Sequence, residues 1–176
     1  MPTGPGWLYQ VKHDGYRMQA RREASSVALW SRNGLSWTDR LPRFAAGFVS
    51  LPCASCVLDG EVVVQLPDGR DDFDALRSVA GAPHAVLLAF DLLELDGRDR
   101  RLLPLVERRA ELARLLAQPV DGIAMVDALD ERGPDLFRHA CALGLEGLVC
   151  KRTDRRYRSG PSPAWMKVRC PEYRHP

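Results

Sequence analysis

The sequence predicts an α+β fold in which helices flank largely antiparallel β-sheets. Segments with the alternating or β-branched pattern of strands outnumber helical segments, and short turns of the hairpin type separate most neighbouring strands. This arrangement favours antiparallel sheets over a doubly wound parallel sheet. The length of 176 residues corresponds to one domain, and 45% apolar with 27% charged residues is typical of a globular chain.

The N-terminal half is predicted to consist of strands joined by turns, with one short helix. Asp-Gly and Asn-Gly pairs are typical of tight turns, and valine-rich or aromatic runs between them indicate strands. The turns are predicted at residues 13–15, 33–34 and 67–69. Residues 71–79 form the helix, with acidic residues in its first turn. The strands of this half are Trp7–Val11 and residues 16–22, 27–31 and 56–66.

The C-terminal half is predicted to carry two longer helices between strands. Residues 104–116 form the clearest helix, because Pro104 suits the first helical position and leucines follow at helical spacing. Residues 135–143 form the second, for which Gly144 is well placed as the C-cap. The strands of this half are residues 85–93, residues 147–151 and Trp165–Arg169.

The distribution of charge is uneven, although the net charge is only +2. Residues 151–176 contain eight Lys or Arg and two acidic residues, whereas residues 53–135 contain nine Lys or Arg and seventeen acidic residues. A basic end suits contact with a polyanion, and a solvated basic tail is the alternative.

Lysine is rare in this chain. Of the 25 basic residues, 22 are arginine and three are lysine, namely Lys12, Lys151 and Lys167. In a composition so biased towards arginine, we expect lysine where the chemistry needs an amine that can lose its proton, which arginine cannot provide.

Cysteine usage and hydropathy indicate a cytoplasmic chain. The five cysteines are an odd number, and residues 1–6 lack a signal-peptide pattern, so we expect reduced thiols. Cys53 and Cys56 have the spacing of half a zinc site, but no second pair follows. The sequence contains no run of 18 apolar residues, so it predicts no membrane-spanning helix.

The segment Lys12-His13-Asp14-Gly15-Tyr16-Arg17 places an amine at a strand end, before a tight turn. An ordinary lysine is protonated at neutral pH, so a lysine nucleophile needs nearby cations or burial to lose its proton. Lys167 and Arg169 are candidate cations if the last strand lies beside the first. A surface lysine next to a turn is the alternative.

Further short motifs follow in order along the chain. They combine carboxylates, an aromatic residue and cations, the groups that bind nucleotides and stabilise phosphoryl transfer. In Trp165-Met166-Lys167-Val168-Arg169, alternation places Lys167 and Arg169 on one face. The other motifs are Ser31-Arg32-Asn33-Gly34, Leu58-Asp59-Gly60-Glu61, Ala89-Phe90-Asp91 and Glu146-Gly147-Leu148-Val149-Cys150-Lys151.

This ordered set resembles motifs I, Ia, III, IIIa, IV and V of the nucleotidyltransferase superfamily of ATP-dependent DNA ligases, RNA ligases and mRNA capping enzymes. The resemblance runs from Trp7 to about Cys170 and is most similar to the ligase domain of bacterial end-joining ligases. It implies the ATP-grasp-like nucleotidyltransferase core, with residues 1–176 as a single adenylation domain. It also implies a role in DNA repair, recombination and replication at the nucleoid, and nicked double-stranded DNA as the partner.

The resemblance implies that Lys12 attacks the α-phosphorus of ATP to form lysyl-AMP, from which AMP passes to the 5′-phosphate of a nick. A 3′-hydroxyl would then displace the AMP. The positions implied to bind the nucleotide are Gln10, Val11, Arg17, Arg32, Glu61, Phe90, Lys151, Lys167 and Arg169.

Individual roles follow from the same motifs. Glu61 would hold the ribose or organise a metal ion, and Phe90 would stack on adenine. Glu61 and Glu146 would bind Mg²⁺ or Mn²⁺, which suits carboxylate oxygens. Arg17 and Arg32 would lie near the ribose and the 5′-phosphate of the nick, so Arg32 would also contact DNA. The cations implied to neutralise the α-phosphate are Lys151, Lys167 and Arg169.

Several of these residues have a structural alternative. Phe90 lies in an apolar strand and could belong to the core, and Asp59 is either catalytic or a turn residue. Asp14 either contacts ligand or holds the turn. Tyr157 and Trp165 either stack on bases or serve as buried anchors.

The sequence departs from the family pattern at Gln10, where the family usually has glutamate. The Gln10 carbonyl can still accept a hydrogen bond from the adenine amino group, so we expect the preference for ATP to survive in weaker form. The OB-fold domain with motif VI that follows in the family is absent from the chain, and little precedes motif I. We therefore expect slow self-adenylation and weak sealing, and a separate OB-fold or end-joining protein as partner.

Two alternatives to a DNA ligase domain stay open. One is an RNA ligase or capping-type nucleotidyltransferase. The other is a truncated module, either a natural minimal protein or a fragment, that binds nucleotide or DNA without turnover.

Overall fold

The computed structural model describes residues 1–78, 81–129 and 132–173. Within these ranges it has nine strands and four α-helices. The strands are β1 (Trp7–Val11), β2 (Tyr16–Glu23), β3 (Ser26–Ser31), β4 (Ser55–Val63), β5 (Val86–Leu95), β6 (Arg98–Asp99), β7 (Ile123–Met125), β8 (Gly147–Arg152) and β9 (Trp165–Arg169). The helices are α1 (Pro42–Ser50), α2 (Phe73–Arg77), α3 (Leu105–Leu115) and α4 (Gly133–Ala142).

The strands form two sheets. The larger sheet has the order β3-β2-β4-β5-β6, with β7 paired to β5, and the smaller has the order β1-β8-β9. Every pairing between these strands is antiparallel except that of β5 with β7. The predicted α+β class with largely antiparallel sheets is therefore confirmed.

The two sheets have separate hydrophobic cores. The larger core lies between the large sheet and the helices, and contains the fully buried Phe44 and Phe48 of α1 with Leu112 of α3. The smaller core joins β1 and β8 to α4 through residues such as Tyr9, Leu136 and Leu148. The sheets therefore present their opposing surfaces to each other.

The sequence analysis missed α1. Leu41, Phe44, Phe48 and Leu51 recur at intervals of three and four residues, and all four are buried. A proline in the first turn marks where the helix begins. The helical pattern was therefore present in the sequence.

The predicted helix at residues 71–79 is shorter in the structure, where α2 spans Phe73–Arg77. The Asp72 carboxylate caps it by accepting a hydrogen bond from the Ala75 N–H at 2.8 Å. Val79 lies outside the described residues. Strand β4 ends at Val63, three residues before its predicted end, because Leu66 and Arg70 already bond across a turn.

The expectation of five reduced thiols is wrong for two of them. Cys141, in α4, is disulfide-bonded to Cys170, just after β9, and their Cα atoms are 5.4 Å apart. The packing of α4 beside β8 and β9 brings together two cysteines that are 29 residues apart in the chain. Cys53, Cys56 and Cys150 are free thiols. No helix in the described part of the chain is long and apolar enough to cross a membrane.

Candidate active site

A pocket opens between the two sheets and takes its lining from both. The small sheet contributes Gln10, Lys12, Val149, Lys151, Trp165 and Lys167, and the large sheet contributes Arg17, Glu61 and Phe90. Apolar and aromatic groups therefore share one pocket with several cations, the combination that a nucleotide requires.

Lys12 lies just beyond the end of β1, and its backbone is fixed. The backbone N–H of Lys12 donates to the Gly147 carbonyl at 2.9 Å. Two residues later, the backbone N–H of Asp14 donates to the Asp71 carboxylate at 2.8 Å. A Cβ on Gly15 would meet the Val62 carbonyl oxygen at 2.1 Å, so only glycine allows the turn to lie this close to β4.

The amine of Lys12 contacts the Glu146 carboxylate. The other oxygen of Glu146 lies 2.9 Å from Nε of Arg169. Lys12 and Glu146 also line a second cavity of about 790 Å³, next to the pocket between the sheets. Lys12 therefore stands at the boundary between two cavities, with a fully buried carboxylate at its amine.

Arg17 is held by a buried carboxylate and a phenol. Its Nε and Nη2 donate to the two oxygens of Asp59 at 3.0 and 2.6 Å. The Tyr157 hydroxyl donates to Asp59 at 2.9 Å and accepts from Arg17 at 3.3 Å. Burial opposes the charge on Arg17, but the bonds to Asp59 outweigh it and raise its pKa, so Arg17 stays a cation.

Lys151 is buried between two aromatic rings. Its Nζ lies 4.0 Å from the ring centre of Phe90 and 4.1 Å from that of Trp165. Burial lowers the pKa of Lys151 to about 7, and the nearby carboxylates of Asp91 and Asp59 only partly offset this. Lys151 can therefore gain or lose its charge near neutral pH.

Glu61 and Lys167 are also perturbed. Burial raises the pKa of Glu61 to about 7, although Lys167, Lys12 and Arg17 favour its carboxylate form. Burial also lowers the pKa of Lys167, and the charge of Lys12 adds to this effect. The amine of Lys12 therefore lies within electrostatic reach of a second cation, as a lysine nucleophile requires.

The amide of Gln10 has a fixed orientation. Gln10 is buried, and its Nε2 donates to the Val126 carbonyl at 3.2 Å. Nη2 of Arg109 donates to the same carbonyl at 2.9 Å. This bond uses one of the two Nε2 hydrogens and fixes the amide, and Oε1 is the hydrogen-bond acceptor that Gln10 can offer to a ligand.

Comparison with known families decides the assignment. The family described as "ATP dependent DNA ligase domain" matches residues 2–169 of the chain. The chain belongs to this ATP-dependent DNA ligase domain family. The resemblance stated from the motifs is thereby confirmed.

Curated relatives contain this ligase domain as part of longer proteins. The chain is 40% identical over 173 residues to the multifunctional non-homologous end joining protein LigD of Pseudomonas aeruginosa, covering 96% of the chain and 21% of that protein. It is 35% identical over 175 residues to a probable DNA ligase of Streptomyces coelicolor, covering 91% of the chain and 34% of the relative. The chain thus spans about a fifth to a third of these relatives.

Solved structures share the fold of the ligase domain. The ligase domain of Mycobacterium tuberculosis LigD superposes with a TM-score of 0.81 at 29% identity, covering 95% of the chain and 56% of that structure. A mycobacterial DNA ligase D complexed with ATP superposes with a TM-score of 0.82 at 29% identity, covering 95% and 55%. The nucleotidyltransferase fold expected from the motifs is confirmed.

The structure brings most of the residues predicted for the ligase domain together, but not all. The predicted residues that line the pocket are Gln10, Val11, Lys12, Arg17, Glu61, Phe90, Lys151 and Lys167. Glu146 lines the neighbouring cavity instead. Arg169 contacts the carboxylate of Glu146. Arg32 is exposed in the turn after β3, outside the lining, although its charge affects Lys167. β9 pairs with β8 and not with β1, so Lys167 lies two strands away from β1 and Lys12.

Trp165 and Val126 line the pocket of the ligase domain, but the sequence analysis did not assign them to it. Trp165 could have been found, because it shares a strand face with Lys167 and Arg169. Val126 follows the three-residue β7 and carries no motif, so no sequence signal marks it. Asp59 is fully buried beneath Arg17, which makes it a positioning residue for that arginine.

Proposed function

We propose that this chain is the adenylation domain of an ATP-dependent DNA ligase, with Lys12 as the nucleophile. One observation carries the proposal. Lys12 is the amine at the mouth of a pocket that offers an aromatic ring, Phe90, and cations within reach of the same space. A nucleotide needs a surface for its base and positive charge for its phosphates, and phosphoryl transfer depends mainly on such positioning and charge.

In the first step, deprotonated Nζ of Lys12 attacks the α-phosphorus of ATP. A P–N bond forms as the bond from the α-phosphorus to the bridging oxygen breaks, and pyrophosphate leaves with the electron pair. The contact with Glu146 holds the ammonium beforehand, so it must break, or the proton must pass to the carboxylate, before attack. Lys151, Lys167 and Arg17 would offset the charge on the phosphate.

Two further steps would seal DNA. An oxygen of the 5′-phosphate at a nick attacks the same phosphorus, the P–N bond breaks, and the Lys12 amine is released. The 3′-hydroxyl then attacks the 5′-phosphorus and AMP leaves. We propose that Arg17 and Arg32 receive the 5′-phosphate, because both lie on the side of the large sheet and Arg17 is held as a permanent cation.

A divalent cation at this site would have few protein ligands. The described residues contain no group of three or more His, Cys, Asp or Glu side chains that could hold a metal ion. Mg²⁺ commonly uses one or two carboxylates together with substrate phosphates. We therefore assign Glu61 and Glu146 as the residues that would hold Mg²⁺ or Mn²⁺, which would supply charge neutralisation at the phosphates.

Gln10 favours ATP over GTP in this proposal. Its Oε1 can accept a hydrogen bond from the amino group of adenine, but it would face the carbonyl oxygen of guanine unfavourably. This argues against the capping-type alternative. Use of this domain in end joining is supported by the LigD relatives, which are non-homologous end joining proteins.

The proposal is tested by incubation with α-labelled ATP and Mg²⁺, followed by denaturing electrophoresis. We expect an acid-labile label on the wild-type chain, none on Lys12→Ala or Lys12→Arg, and weaker labelling from GTP. Arginine cannot replace lysine because the guanidinium keeps its proton. Label persisting on Lys12→Ala would exclude Lys12 as the nucleophile. An unlabelled wild-type chain would favour the alternative of a module that binds nucleotide or DNA without turnover.

A further inference from the structure

A loop of residues 153–158, here called the arginine loop, leads out of β8 and is tied to the start of α3. The N–H groups of Leu105 and Val106 donate to the carbonyls of Arg155 and Thr153 at 2.9 and 3.0 Å. The first N–H groups of a helix have no partner within it. The arginine loop therefore supplies acceptors for two of these groups, and hydrogen bonds fix its backbone to the helix that it caps.

Arg108, a buried residue of α3, holds the loop by a hydrogen bond to its backbone. Its Nη1 donates to the Arg155 carbonyl at 3.2 Å, while its other nitrogens bond to the buried carboxylate of Asp91 at 2.7 and 2.8 Å. The Tyr157 N–H adds a bond to the Arg101 carbonyl at 2.9 Å. The conformation of the arginine loop is thus set by contacts that do not involve its arginine side chains.

The side chains of the arginine loop point in two directions. Tyr157 points inwards, where its hydroxyl bonds to Asp59 and Arg17 at the edge of the pocket. Its sequence neighbours Arg156 and Arg158 are exposed. Across the described residues, neither of these arginines has a hydrogen bond or an ion pair, whereas Arg152 is paired with Asp154 at 3.0 Å. Two unpaired guanidinium groups therefore flank the residue that anchors the loop to Arg17.

We propose that Arg156 and Arg158 form a contact surface for the phosphodiester backbone of duplex DNA, next to the point where Arg17 receives the 5′-phosphate. Guanidinium groups bind phosphate oxygens in a planar, two-pronged arrangement, and such contacts position DNA without reading its sequence. Because the loop backbone is already ordered, binding loses little conformational entropy beyond that of the two side chains. This inference rests on the proposed function.

The test is the salt dependence of binding to a nicked duplex, measured by fluorescence anisotropy with the 176-residue chain. The variant is Arg156→Ala/Arg158→Ala. The matched control is Arg98→Ala/Arg114→Ala, which removes the same charge from two exposed arginines that line no described pocket. Each phosphate contact contributes about 0.9 to the slope of log affinity against log salt. We expect the slope to become shallower by about 1.8 in the variant and to stay at the wild-type value in the control.

Self-adenylation of the same proteins separates this inference from the proposed function. Both double variants should form lysyl-AMP at the wild-type rate, because the first step needs no DNA. An unchanged slope in Arg156→Ala/Arg158→Ala, or an equal loss in the control, would overturn the DNA surface while lysyl-AMP formation still supported the proposed function. An equal loss of affinity for duplex RNA of the same length would show a general polyanion surface and overturn the assignment to DNA. A wild-type chain that forms no lysyl-AMP would refute the proposed function itself.

Discussion

At the scale of single residues, the geometry of Arg17 depends on groups that do not touch a ligand. The two oxygens of Asp59 receive Arg17 in a two-pronged arrangement, and the Tyr157 hydroxyl bonds to one of them. Burial and the neighbouring Asp59 raise the pKa of Tyr157 to about 12, so its hydroxyl stays protonated and continues to donate. Tyr157 therefore fixes the orientation of a guanidinium whose charge is secured by Asp59.

Replacing Tyr157 with Phe should impair sealing more than self-adenylation. The change removes the hydroxyl that donates to Asp59 and accepts from Arg17, and leaves Arg17 charged but less firmly oriented. A hydrogen bond to a charged group contributes roughly 1.5–3 kcal/mol. We expect the rate of sealing a 5′-phosphorylated nick to fall by about tenfold or more, with a smaller change in lysyl-AMP formation. Single-turnover rates for the two steps measure the difference.

Tyr9→Phe is the matched control for Tyr157→Phe. Among the residues that the structure describes, the Tyr9 hydroxyl bonds to the Pro2 carbonyl alone, at 3.1 Å, and Tyr9 lies in the core of the small sheet. This control should leave the ratio of the two rates unchanged. An equal loss in both steps for Tyr157→Phe would instead mean that the tyrosine only stabilises the fold.

At the scale of elements, local pattern predicted the strands well and some helices poorly. Strands β1 and β9 lie at their predicted bounds, because alternation and flanking turns are local properties of the sequence. The helix α1 was missed although its apolar spacing is helical. Strand β7 could not be predicted, because three residues hold no period and it exists through its parallel pairing with β5. Tertiary pairing, rather than propensity, forms such an element.

The disulfide joins two elements on either side of Glu146. Cys141 lies in α4, and the Cys170 N–H donates to the Glu146 carbonyl at 2.9 Å. Closing a loop with a sequence separation of 29 stabilises the fold by about 3–4 kcal/mol in the chain-entropy description.

We expect thiol titration of the unfolded, unreduced chain to count only the three thiols of Cys53, Cys56 and Cys150. Reducing agent should lower the free energy of unfolding, measured with urea, by about 2–4 kcal/mol. Cys141→Ser/Cys170→Ser should have the free energy of unfolding of the reduced chain, and reducing agent should not change it. Cys53→Ser is the control, and its free energy of unfolding should still fall when reducing agent is added. Five reactive thiols in the purified chain would contradict the disulfide.

At the scale of the whole molecule, the site exists because two sheets meet. Lys12 and Lys151 come from the small sheet, whereas Glu61 and Phe90 come from the large one. The motifs predicted most of the residues that line the pocket, since each motif lies within one strand and its turn. They did not predict that Glu146 would line a neighbouring cavity or that Asp59 would lie beneath Arg17. The first relation depends on how the sheets pack and the second on the pairing of β2 with β4, and no single segment of sequence contains them.

Lys151 connects this site to the stability of the whole fold. Burial lowers its pKa from 10.5 to about 7, so the unfolded chain binds a proton more readily than the folded chain between those values. The ammonium therefore destabilises the fold fully below about pH 7, and this penalty disappears as the pH rises towards that of an ordinary lysine. The contacts with Phe90 and Trp165 oppose the penalty without removing it.

We expect Lys151→Met to raise the free energy of unfolding by about 1–4 kcal/mol at about pH 6, because an apolar side chain replaces a buried charge. The gain should shrink at about pH 10, where the lysine is neutral in the folded state and the unfolded chain has begun to lose the same proton. Urea unfolding at the two pH values measures this difference. Lys167→Met is the matched control, and since Lys167 is much less buried than Lys151 its gain should be smaller. If Lys151→Met were destabilising at about pH 6, where the ammonium is present in the folded state, the aromatic contacts of the ammonium would outweigh its burial, and Lys151 would have to be regarded as a structural cation.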